Sequence, residues 1–162
     1  MNRLPNKTVI VFIFFAGLSV SLAGQSEQLA ISRTEWKNWN QQEILQNAEI
    51  HPSHVAANTF GDLIVLDMES FTVATLSSEG MLRLTGGWGV EAERFSYPTD
   101  IAVSFGQDIF LCDQATERVL RFDGKLNFIS DVDLSEMQPT RVELPSRIAI
   151  NRLGEIIISA AE

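Results

Sequence analysis

The chain has 162 residues, 45% of them hydrophobic and 20% charged, with a formal net charge of −9. That length sets a single domain, and that composition supports a packed core and excludes wholesale disorder. With 21 acidic against 12 basic side chains, no basic stripe exists to neutralise phosphates, which excludes nucleic-acid binding.

Arg3 and Lys7 give the chain a positive start, and residues 9–20 are almost all apolar. Ser21-Leu22-Ala23 then puts small residues at the −3 and −1 positions of a signal peptidase site. This is the layout of a secretory signal peptide over residues 1–23, cleaved after Ala23 or Gly24. The apolar run falls short of the about 20 residues of a membrane span. Gln25 stands where a lipid-anchored protein would carry cysteine. The expected location is therefore periplasmic or secreted, with no membrane attachment once the leader is gone.

Residues 24–51 read as a polar linker and a short helix. The helix is expected over 34–49, with Thr34 as its N-cap and Trp36, Trp39 and Glu43 near one face.

From Pro52 the pattern changes to strands and repeats. Proline recurs at Pro52, Pro98 and Pro145, 46 and then 47 residues apart, and an acidic residue follows each after ten positions. Each proline suits the start of a strand, because its φ is fixed and it donates no hydrogen bond. A short first strand of small apolar residues follows: Val55 to Ala57, Ile101 to Val103, Ile148 to Ile150. Small side chains suit a crowded innermost strand. Next comes a glycine turn (Phe60-Gly61-Asp62, Phe105-Gly106-Gln107, Leu153-Gly154-Glu155), where glycine is expected to supply the positive φ of a tight hairpin.

The second strand is almost continuously apolar: Leu63 to Leu66, Ile109 to Cys112, Ile156 to Ile158. Such a strand is buried on both faces. Third strands are expected at Val73–Leu76 and Val119–Phe122, and fourth strands at Met81–Leu84 and Leu126–Ser130. Four antiparallel strands in a unit of this length make one blade of a β-propeller. The fold class is therefore all-β: an incomplete propeller over 52–162, with blades at about 52–97, 98–144 and 145–162, preceded by the signal peptide and the short helix.

The middle copy carries a family likeness. It runs from Gly86-Gly87-Trp88-Gly89 through Phe95-Ser96-Tyr97-Pro98-Thr99-Asp100-Ile101-Ala102-Val103 and Asp108-Ile109-Phe110-Leu111-Cys112-Asp113 to Glu117-Arg118-Val119-Leu120-Arg121-Phe122-Asp123. This closely resembles the NHL repeat. The first copy keeps the proline, both strands and Asp67 but has Val73 where an Arg-Ile pair would stand. The third copy has Ala160 at the aspartate position. The resemblance implies a six-bladed ring, which needs roughly 270 residues at this repeat length. Two and a half repeats then imply a fragment of a longer propeller, or copies that self-associate through exposed blade edges.

His54, Asp100 and Arg147 each lie two residues after a repeat proline. Repeat symmetry places them at one mouth of the central channel, as candidate ligand-binding residues. The only histidines, His51 and His54, fall on one blade, and Arg147 would repel a cation. No metal site and no cofactor are expected. Asp67 and Asp113 share one repeat position and are read as turn-fixing residues. Trp88 is expected to pack between blades. Arg118 and Arg121, with Glu117, are read as surface ion pairs. The lone Cys112 is read as a small buried hydrophobe. No catalytic motif is present: there is no Gly-x-Ser-x-Gly, Walker loop, His-Glu-x-x-His or Cys-x-x-Cys.

The function expected from these features is that of an exported, non-catalytic propeller module that binds a protein or carbohydrate partner. The alternative is the N-terminal part of a propeller enzyme, a lactonase-like hydrolase or lyase with a metal in its channel.

Overall fold

The computed structural model describes residues 41–137 and 142–161. The expected signal peptide, most of the linker and residues 34–40 of the expected helix lie outside them. The helical reading holds over α1 (Gln41–Asn47). Among the described residues, no helix is long and apolar enough to cross a membrane.

The first sheet has the order β1 (His54–Ala57), β2 (Leu63–Asp67), β3 (Thr72–Leu76), β4 (Leu82–Gly86), each strand antiparallel to the next. Its register pairs His54 with Leu66, Leu63 with Leu76 and Leu76 with Leu82. The second sheet repeats this order with β5 (Pro98–Val103), β6 (Ile109–Asp113), β7 (Arg118–Phe122) and β8 (Phe128–Asp133). A third pair follows, β9 (Pro145–Ile150) with β10 (Ile156–Ala160). The strand pattern read from the repeats is thus the observed one, and β5 lies beside both β1 and β9.

Successive residues of a strand point to opposite faces, which explains the apolar second strands. In β2, Leu63 and Val65 pack with Leu45 and Ile50 from the helical segment. Ile64 and Leu66 pack the other way, against Ile101, Ile109, Leu111, Leu120 and Phe122 of the second sheet. In β6, Ile109 and Leu111 face the first sheet, whereas Cys112 faces Ile148 and Ile158 of the third. All of β2 is buried.

Three details differ from expectation. First, β10 is apolar but largely exposed. Ile158 meets the second sheet, while Ile156 and Ile157 are 39% and 61% exposed. Among the described residues nothing pairs with its outer edge.

Second, the glycine of the middle turn sits one residue early. The three turns are closed by equivalent hydrogen bonds across Asn58–Asp62, Ser104–Asp108 and Asn151–Glu155. Their fourth position is left-handed, with φ of 85° at Gly61, 74° at Gln107 and 82° at Gly154. Gln107 therefore bears the conformation that glycine was expected to supply, and its side-chain amide is tied to Thr59 Oγ1 at 2.6 Å.

Third, Trp88 is not the wedge between blades; it is 74% exposed. Phe95 is the wedge. It is fully buried and meets Phe122 edge-on at 6.1 Å. Glycine is required beside it: a Cβ on Gly86 would lie 2.3 Å from the carbonyl oxygen of Phe71 and 2.5 Å from the Phe95 ring.

Candidate functional site

The inner strands β1, β5 and β9 start at one mouth, and His54, Asp100 and Arg147 stand there. Arg147 Nη1 lies 2.7 Å from His54 Nε2, joining residues 93 apart in sequence. A guanidinium can only donate, so Nε2 accepts and the proton of the neutral imidazole is on Nδ1. That Nδ1 is buried and has no hydrogen-bond partner.

Asp100 is used differently. Its Oδ2 accepts the N–H of Ile148 and its Oδ1 the N–H of Ile101, both at 3.0 Å. The carboxylate thus ties the inner strand of the second blade to that of the third. The three residues form one cluster, in which His54 and Arg147 contact each other and Asp100 fixes the backbone beneath them. Among the described residues, no group of three or more His, Cys, Asp or Glu side chains is gathered to hold a metal ion.

Cys112 lies below this cluster with no exposure. Burial pushes its thiol up to about 12, with the nearby Asp100 charge adding to the effect. It is the small buried hydrophobe expected of it.

Asp67 and Asp113 are structural, and their reach is longer than a single turn. Asp67 is buried and accepts the N–H groups of His51, Glu69 and Ser70 at 2.9, 2.9 and 3.1 Å. Asp113 accepts those of Ser96 and Tyr97 at 2.9 and 2.8 Å. Each aspartate therefore pins the segment that leads into the first strand of its own blade. The surface ion pairs of Arg118 and Arg121 form with Asp131 at 3.1 Å and with Asp108 at 2.9 Å.

The sequence reading passed over the opposite mouth, where the inner strands end. There Thr59, Phe105 and Arg152 occupy one equivalent turn position, around a cup of about 230 Å³. The signal was available: each lies seven residues after its repeat proline. The middle glycine sits one residue early in its turn, so the glycines do not mark this shared position.

No protein-family model and no curated protein matches the chain. Solved structures do match. A streptogramin B lyase is similar at 15% identity with a TM-score of 0.51, over 65% of this chain and 32% of that one. An inactive H270A virginiamycin B lyase from Staphylococcus aureus, with quinupristin, is similar at 12% identity and a TM-score of 0.50, over 65% and 33%. Hydrazine synthase from Kuenenia stuttgartiensis is similar at 18% identity and a TM-score of 0.50, over 67% and 29%. The chain thus spans about a third of the length of the structures it matches.

The neighbours are of the β-propeller type. With two four-stranded antiparallel blades and the first hairpin of a third, this chain has the fold of a β-propeller segment. At these identities the likeness carries the fold alone.

Proposed function

We propose that the chain is an exported, non-catalytic part of a six-bladed NHL-type propeller, and that it binds a protein or carbohydrate partner at the His54–Asp100–Arg147 mouth. The observation that carries this reading is the 2.7 Å contact between Arg147 and His54. It joins two blades at one rim and leaves the remaining N–H groups of the exposed Arg147 guanidinium free to donate. Such a rim suits acceptor-rich partners, namely sugar hydroxyls or the carbonyls of a polypeptide. Asp100 serves as the support that holds the rim in register. Export rests on the leader-like residues 1–23, and the edge of β10, unpaired among the described residues, supports self-association.

The test is an array of oligosaccharides and exported proteins probed with the wild type and with Arg147→Ala/His54→Ala. A hit weakened about tenfold or more in the double variant is the expected result. A full-length ring that retains a divalent metal by elemental analysis, and loses lyase or hydrolase turnover with His54→Ala, would replace this reading with the enzyme one. N-terminal sequencing of the exported chain should start at Gly24 or Gln25.

A further inference from the structure

The opposite mouth has a composition of its own. Its cup of about 230 Å³ is lined by the same three positions of each repeat. The last residue of each inner strand forms an aliphatic floor: Ala57, Val103 and Ile150. Polar turn residues follow, and these are already engaged. Asn58 Oδ1 accepts the N–H groups of Phe60 and Asp62, at 3.0 and 2.9 Å. Asn151 Oδ1 accepts those of Leu153 and Glu155, also at 2.9 and 3.0 Å. These bonds fix the backbone of the turns that carry the third position.

At that third position the repeats diverge, with Thr59, Phe105 and Arg152. Phe105 is 73% exposed, although it is a large apolar ring. Arg152 has no carboxylate partner among the described residues. The acids of the same turns are occupied: Asp62 by the amide of Asn58, Glu155 by that of Asn151, and Asp108 by Arg121. The cup therefore offers an aliphatic floor, one aromatic wall and one free guanidinium.

We propose that this mouth binds a small monocarboxylate with an apolar body, its carboxylate taken by Arg152 and its body placed against Phe105 and the floor. An arginine fork matches a carboxylate in a two-bond geometry that a neutral group cannot reproduce. This site is separate from the His54 mouth and does not depend on the function proposed there.

The test is ligand-observed saturation-transfer NMR on the whole chain, which tolerates self-association, with 3-phenylpropionate and octanoate as probes. At least one acid should bind, and its neutral alcohol should bind about tenfold more weakly. Arg152→Gln should lower affinity about tenfold, and Phe105→Ser should lower it severalfold. Both residues are exposed, so an unchanged melting temperature confirms that each variant is folded. Arg147→Ala should leave acid binding intact. No binding of either acid up to about 10 mM would overturn the proposal. So would affinity unchanged by Arg152→Gln, or an alcohol that binds as well as its acid.

Discussion

Asp113 at the end of β6 accepts the backbone N–H of Tyr97 at 2.8 Å, although the two lie 16 residues apart. The same carboxylate holds Ser96, and Asp67 does the same for His51 in the preceding blade. Removing the carboxylate leaves two partly buried N–H groups without their acceptor. Asp113→Ala should cost about 2–4 kcal/mol, and Asp113→Asn less because one acceptor oxygen remains. Urea denaturation of both variants measures this. Equal losses in the two would contradict the acceptor role.

Asp67 adds a dependence on pH. Burial works to raise its pKa, but the N–H bonds from His51, Ser70 and Glu69 outweigh burial and hold it below the ordinary value of 3.8. Its folded pKa is depressed, so its stabilisation is present above the unfolded value and is lost as pH falls through the lower folded one. Wild type should therefore lose stability in that acid window, and Asp67→Asn should show a flatter profile there. Denaturant midpoints across the window provide the check.

Phe95 and Trp88 should behave oppositely. Phe95 is fully buried against Phe122, whereas Trp88 stands in solvent. Phe95→Ala should cost about 3–5 kcal/mol through the cavity it leaves. Trp88→Ala should stay within about 0.5 kcal/mol. Comparable effects in the two melts would mean that the packing assignment is wrong.

These two aromatics show where the sequence was legible and where it was not. The strand repeat was plain because alternation and two-sided burial act on every residue of β2 and β6, so pattern alone locates them. Phe95 and Trp88 lie in one loop, seven residues apart, and no periodicity ranks them. Their fates follow from the backbone path. Phe95 is bonded to the residues on either side of Trp88, its N–H to Gly87 O and its carbonyl accepting from Gly89 N–H. The His54 cluster was legible from repeat position, but the Arg147–His54 contact depends on how far the blades turn toward one another. Gln107 escaped notice for a third reason. The turn is defined by its closing hydrogen bonds, and the glycine had moved by one residue.

Edge pairing at β10 gives a further prediction. Ile156 and Ile157 are exposed beside an edge with no partner strand among the described residues. Such an edge templates association. The chain should run as oligomers by light scattering, and Ile157→Lys should shift it toward monomer, because a charge on an edge opposes strand addition. A monodisperse wild-type monomer would remove β10 as an association site.

Cys112 links packing to alkaline stability. Its thiol is raised from 9.0 to about 12 in the folded chain, chiefly by burial and next by the Asp100 charge. Between those values the unfolded chain has lost this proton and the folded chain keeps it. Since the unfolded state then binds fewer protons, stability must fall as pH rises through that window. Cys112→Ala removes the titration, so its stability profile should be flatter above pH 9.0, despite a lower starting value from the lost packing. The native thiol should also resist a disulfide reagent at neutral pH and react only as the chain unfolds, because the attacking species is the thiolate and it has no exposure here. Rapid labelling of folded protein, or parallel pH profiles in the two variants, would show that Cys112 is not sealed between the second and third blades.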